Sequence, residues 1–351
     1  MTRQASRDPR AAGPSCRARR AVARDLARAL GAACLMTLAL LTSACGKPAD
    51  PGARGTPSVV CTTGMIGDAV RVIAGDRVRL TTLMGEGVDP HLYKPSPIDI
   101  RTMSEADLVL YNGLHLEGRM GDVLEQLSRT RAVRAVSDQI DPALLRTPPE
   151  FAGQHDPHIW FDVSIWSTAV RTIADRLAEL QPAHAQEFRQ RAQAYLNELD
   201  DLHRWCGDQI ATIPESHRVL VTAHDAFGYF SRAYHIEVRS IQGVSTDSEA
   251  GVRTVNELVD FIVAREIPAV FVESSVPPKT IQALVEGSRA RGHAIRIGGE
   301  LFSDAMGRAG TPEGTYIGMV RHNVSLIASA LSRGAESTPR PGDPHTAGDK
   351  E

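Results

Sequence analysis

Two stretches of the chain repeat one tripeptide, Asp89-Pro90-His91 and Asp156-Pro157-His158, and each sets an imidazole directly after a proline. Proline fixes its own φ and restricts the residue before it, so the imidazole that follows has a defined direction and little entropy left to lose on binding. That is what a metal ligand needs. Each tripeptide precedes a helical pattern, so each His is expected at a loop-to-helix junction. In the second half the run Arg218 to Thr222 leads into Ala223-His224-Asp225. His224 thus stands just past the carboxyl end of a strand, where open α/β sheets bind their ligands. Further on, Gly298-Gly299-Glu300-Leu301-Phe302-Ser303-Asp304 reads as a glycine-loosened loop carrying a carboxylate. Three imidazoles and one carboxylate from four loops, two per half, form a coherent shell for a divalent transition metal.

The chain has 12 His, and any one of them alone is more often a surface or hydrogen-bonded residue than a ligand. His155 lies three residues before His158 and could share a metal with it. Pro157 breaks helical geometry between them, and only His158 belongs to the repeated tripeptide, which favours His158. Asp304 alone would be a cap or turn residue. Metal-bound imidazoles donate their other N–H to a carboxylate or carbonyl, which makes Asp225, Glu249, Glu273 and Ser275 candidates for contacts behind the ligands. A zinc ion with a bound water and a nearby Glu would instead hydrolyse esters or amides. That chemistry requires an open coordination position and a substrate pocket, and a shell filled by protein leaves neither, so no catalytic residue and no organic cofactor are assigned.

The elements that must position these residues are short β-rich runs alternating with helical patterns. Strands are expected at 58–62, 78–82, 107–111 and 132–136, then at 218–222, 236–240, 269–273 and 294–297. This spacing predicts an α/β fold with two lobes, each a mostly parallel four-stranded sheet flanked by helices. Between them Phe188, Ala192, Tyr195, Leu199, Leu202, Cys206, Ile210 and Ile213 follow at steps of three or four, one face of a single helix bounded by Pro182 and Pro214. Roughly 30 residues at about 1.5 Å each give a rod of about 45 Å, long enough to run beside both lobes. Such a connection permits small tilts more readily than wide closure. The expected division is 57–181 for the first lobe, 182–214 for the linker helix and 215–334 for the second lobe.

The ends have a different composition. Residues 1–28 hold eight Arg against two Asp, and an apolar run from Ala29 to Leu41 follows, too short to cross a bilayer, as in an export signal. Leu41-Thr42-Ser43-Ala44-Cys45 resembles the lipobox of bacterial lipoproteins, with Thr42 where that motif usually has Leu. Cleavage after residue 44 would leave Cys45 as a lipidated N-terminus, with 45–56 as a Pro/Gly-rich tether and 335–351 as a disordered tail. Setting residues 1–44 aside lowers Lys+Arg from 39 to 31 and Asp+Glu from 42 to 40, so the formal charge moves from −3 to −9. An acidic body excludes nucleic acid as a partner and suits attraction of a small cation. Of five Cys only Cys61 and Cys206 remain beyond Cys45, at no metal-site spacing, and are expected as buried thiols.

Taken together, these stretches resemble the metal-binding receptors of zinc, manganese and iron ABC importers, the cluster A-I or TroA-like solute-binding lipoproteins. The resemblance covers about residues 57–333. It is carried by Gly87 to Tyr93, Asp156 to Asp162, Thr222 to Phe230, Gln242 to Thr246, Phe271 to Ser275 and Gly299 to Gly307. It implies two lobes on one long helix and a single transported Zn2+ or Mn2+ held between them by His91, His158, His224 and Asp304. The third ligand is His in some members and Glu in others. Zinc-specific members add a long His- and acid-rich loop to the first lobe, whereas residues 137–154 here are short and contain no His. Raw affinity favours zinc over manganese, and cellular availability can reverse that order. The resemblance further implies a monomer tethered by lipid outside a bacterial inner membrane, delivering its ion to ABC permease subunits served by a cytoplasmic ATPase.

Overall fold

The structure is a computed structural model that describes residues 55–247 and 251–332. Cys45, Glu249, the export signal, most of the tether and the tail fall outside the described residues. Among the described residues no helix is long and apolar enough to cross a membrane.

The first lobe alternates β1 (Ser58–Cys61), α1 (Gly64–Ala74), β2 (Arg79–Thr82), α2 (Pro97–Glu105), β3 (Leu108–Tyr111), α3 (Gly121–Ser128) and β4 (Val133–Ala135). Its four strands form one parallel sheet in the order β2-β1-β3-β4. Central β1 and β3 are almost wholly apolar and buried, as strands covered by helices on both faces must be. A long irregular segment after β4 leads into α4 (Val163–Leu180), whose N-terminus is capped by Asp162 accepting from Ser164 N–H.

The linker is α5 (Ala185–Ala211), preceded by a single 3-10 turn at Pro182–His184. Its 27 residues span about 40 Å. The stripe expected from the sequence is buried, with Leu196 added to it. Cys61 and Cys206 are free and buried, and burial pushes both thiols up, the Cys206 thiol to about 12.

The second lobe contains β5 (Val219–Thr222), α6 (Gly228–Tyr234), β6 (Glu237–Ser240), α7 (Val252–Ala264), β7 (Ala269–Glu273), α8 (Lys279–Ala290), β8 (Arg296–Leu301) and α9 (Tyr316–Ser332). Its strands hydrogen-bond as two parallel pairs, β5–β6 and β7–β8, with β5 lying alongside β7, rather than as one four-stranded ladder. The last strand also differs from expectation. It starts at Arg296 and runs through Gly298 and Gly299 to Leu301, where the sequence reads as a loop. The glycines serve packing there. A Cβ at Gly298 would lie 2.6 Å from the Phe271 ring, and Gly299 at φ +145° would press a Cβ into Leu326 of α9.

Polar contacts tie the lobes together. The N-terminal amide of α9 at Tyr316 donates to Asp68 Oδ2 in α1 at 2.9 Å, so a first-lobe carboxylate caps a second-lobe helix. Asp68 Oδ1 also accepts from Arg71 at 2.9 Å. The Tyr316 hydroxyl donates to the Trp160 carbonyl at 2.8 Å, and Trp160 Nε1 donates to the Ser303 carbonyl at 3.0 Å. Asp68→Ala should lower stability by about 0.5–2 kcal/mol, the scale of a lost helix cap. The fall should show in urea unfolding, with metal affinity unchanged.

Candidate metal centre

His91 lies in a turn six residues ahead of α2, further from the helix than expected, whereas His158 directly precedes a 3-10 turn at Ile159–Phe161. Both Asp-Pro-His tripeptides fold alike. The backbone N–H of His91 donates to Asp89 Oδ1 at 2.8 Å and that of His158 to Asp156 Oδ1 at 3.0 Å. An Asp carboxylate that accepts an amide two residues on forms its own tight turn, so Asp as well as Pro sets the direction of the imidazole. His224 follows β5 by two residues and Asp304 follows β8 by three.

The four side chains converge. One ligand atom from each of His91, His158, His224 and Asp304 lies within 4.8 Å of every other. His158 Nε2 is 3.3 Å from His91 Nε2 and 3.4 Å from His224 Nε2. Asp304 Oδ1 is 3.4 Å from His158 Nε2, and Oδ2 is 3.3 Å from His224 Nε2 and 4.0 Å from His91 Nε2. Zinc–nitrogen bonds of about 2.0–2.1 Å in a tetrahedron set donor atoms about 3.3 Å apart. The cluster therefore has the size of a single coordination shell. All four residues are at most 4 % exposed. Asp304 Oδ1 is buried without a hydrogen-bond partner, as a lone pair meant for a cation would be.

The outer nitrogens fix the tautomers. His158 Nδ1 lies 2.8 Å from Asp156 Oδ1 and His224 Nδ1 lies 2.5 Å from Glu273 Oε2. A carboxylate only accepts, so both Nδ1 atoms carry a proton and Nε2 is the nitrogen turned to the common point, free to ligate once its own proton is displaced. Glu273 Oε1 also accepts from the amides of Ala223 and His224 at 2.7 and 2.9 Å, bridging β5 and β7 where no ladder joins them. Burial alone would lower the pKa of His158, but Asp156 and Asp304 outweigh it and raise it to about 9. His224 is likewise raised despite burial, by Asp304 and Glu273. Burial prevails at His91, lowering it to about 3 against the attraction of Asp304. Burial opposes the charge on Asp304, yet the imidazoles hold its carboxyl well below the usual range.

Other expected residues have distinct places. The Ser275 hydroxyl pairs with Ser303 Oγ at 2.8 Å and donates to Asp304 Oδ2 at 3.3 Å. Asp225 is tied by its amide to the Gly243 carbonyl, and Asp156 rather than Asp225 holds His158. His155 turns aside to Thr147, with Nδ1 3.0 Å from its hydroxyl. The sequence reading did not single out Asp156, Asn112 or Glu117. Asn112 donates to the Pro157 carbonyl at 3.0 Å, and the Asn112 amide donates to buried Glu117 at 2.7 Å. The repeated tripeptide carried a signal for Asp156, whereas the other two lie 45 and 40 residues from the loop they support and gave none.

Residues 59–330 match the family described as "ZnuA: Zinc-uptake complex component A periplasmic". The chain belongs to this family. It is 52% identical over 304 residues to the zinc-binding protein TroA of Treponema pallidum, covering 86% of this chain and 98% of that one. It is 48% identical over 290 residues to the manganese-binding lipoprotein MntA of Bacillus subtilis, covering 83% and 93%. The solved structure of TroA from Treponema pallidum superposes with a TM-score of 0.78 at 52% identity, covering 80% of this chain and all of that one. A two-lobed receptor fold joined by one long helix follows from that match.

Removing a carboxylate behind a ligand imidazole typically lowers metal affinity 10–100-fold. Glu273→Gln and Asp156→Asn should each do so by about that factor in competition titrations, and His158→Ala, His224→Ala, His91→Ala or Asp304→Ala by tenfold or more.

Proposed function

We propose that this chain is the extracytoplasmic receptor of a metal ABC importer. It captures one Zn2+ or Mn2+ at His91, His158, His224 and Asp304 and delivers the ion to membrane permease subunits driven by a cytoplasmic ATPase. The observation that carries this reading is the convergence of four buried ligand atoms, two from each lobe, on a point of coordination-shell size. The proposed division is 57–181 and 215–334 for the lobes, with 182–214 joining them. Relatives named as zinc-binding and as manganese-binding both match at about half identity, which supports a site that accepts either ion. The two oxygens of Asp304 face different imidazoles, so the carboxylate can bind through one oxygen for tetrahedral zinc or through both for a larger shell.

The cycle is capture, closure and release, with no covalent step and no catalytic residue. An ion ligated from both sides couples the lobes, and the permease must part them to free it. Cys45 is the proposed lipid attachment that keeps a monomeric receptor beside the membrane outside the cytoplasm, and relatives named as lipoproteins support it. Glu249 is retained as a proposed contact behind the site.

Because the ion binds only the folded chain, a hundredfold excess over Kd adds about 2.7 kcal/mol of stability by mass action. Chelator-stripped protein should melt at a clearly higher temperature once zinc or manganese is added. An unchanged melting curve with both metals at millimolar concentration would contradict the reading.

A further inference from the structure

Behind His158 stands a cation, one carboxylate removed from the imidazole. The Arg146 guanidinium pairs through Nη1 with Asp156 Oδ2, while Asp156 Oδ1 holds His158 Nδ1. Asp156 is fully buried and Arg146 is 26 % exposed, so this is the solvent-side end of a chain of contacts that reaches Nε2. The loop between them is closed on itself and gripped from the other lobe. Asp156 N–H donates to the Arg146 carbonyl at 2.9 Å. The Tyr229 hydroxyl in α6 accepts from Arg146 N–H at 3.1 Å and donates to the Asp156 carbonyl at 2.9 Å. The Tyr229 ring lies 5.8 Å from the Arg146 guanidinium and 5.2 Å from that of Arg232, which donates to the Leu144 carbonyl at 2.8 Å.

The seat of the guanidinium is formed by an absent side chain. A Cβ at Gly228, the first residue of α6, would fall on Arg146 Nη1. Gly228 has ordinary helical backbone and needs no special conformational freedom, so the missing side chain is explained by the guanidinium it admits. Charge gives a second reason. Asp156 is a fully buried carboxylate. Arg146 supplies the cation beside it, and buried charges are tolerated only when so paired.

We infer that Arg146 is a positioning residue of the metal site, orienting His158 through Asp156 and held in place by the Gly228–Tyr229 corner of the opposite lobe. The orientation of His158 thereby depends on lobe closure. Drawing α6 away removes the guanidinium's seat, slackens Asp156 and weakens one ligand as the cleft opens. This rests on the metal-receptor reading of the four ligands.

The test measures Zn2+ and Mn2+ dissociation constants and the visible absorption of Co2+-loaded protein, using the full chain. Arg146→Met should weaken both metals about tenfold, the lower end for a group that supports a ligand, and shift the Co2+ spectrum. Arg146→Lys should recover most of the affinity by restoring the charge. Gly228→Ala, which helix propensity alone would favour, should weaken binding in the same direction. Wild-type constants and spectra in both Gly228→Ala and Arg146→Met overturn the proposal. If Arg146→Met does not fold, Gly228→Ala decides, since wild-type metal binding and spectra in it overturn the proposal. A wild-type chain that binds neither zinc nor manganese defeats the receptor reading itself, a separate outcome.

Discussion

An imidazole is a directed ligand only when its other nitrogen is occupied. In this chain the carboxylates of Asp156 and Glu273 occupy Nδ1 of His158 and His224, and the lone pairs on Nε2 have one direction left. Bringing these groups together without solvent is costly, because an unpaired buried ion costs several kcal/mol. The surrounding structure offsets that cost group by group. Glu273 takes two backbone amides as well as the imidazole, and Asp156 takes an amide and a guanidinium. Asp304 Oδ1 is the atom left over, and it faces the point where a cation would sit.

The same requirement accounts for the way the lobes meet. Two of the four converging side chains come from each side, so the distances within the cluster are set by contacts between lobes rather than by either sheet alone. Trp160 of the first lobe donates to the carbonyl beside Asp304, and Thr246 of the second donates to Asp89 at 2.6 Å, beside His91. The contacts differ in exposure. Those through Trp160, Tyr229 and Tyr316 are buried, whereas Arg119–Asp247 and Arg308–Glu86 lie on the surface. Exposed pairs contribute little and exchange readily with water, so they part more easily than the buried contacts.

The four side chains that converge, the long helix and most strands were legible in the sequence because each rests on a local pattern. These are a repeated tripeptide, a stripe at steps of three and four, and short β-branched runs ending at chemistry-bearing residues. The last strand was read short because a Gly-Gly pair signals a loop. In the structure those glycines admit Phe271 and Leu326 to close contact, a tertiary fact with no local trace. Arg146 was invisible for a similar reason. It lies in an irregular segment without periodicity, and what marks it is a missing Cβ 82 positions away. The division of the second sheet into two pairs was equally hidden, since the carboxylate that spans the gap belongs to Glu273, which the sequence offered only as a contact behind the ligands.

The capping of the last helix by Asp68 joins residues 248 positions apart. Contacts of such sequence separation form late, because a long loop must close before they return any stability. The α1 carboxylate therefore waits for the partner it caps until the last described helix is available, and the fold closes on itself only when nearly all of the described chain takes part.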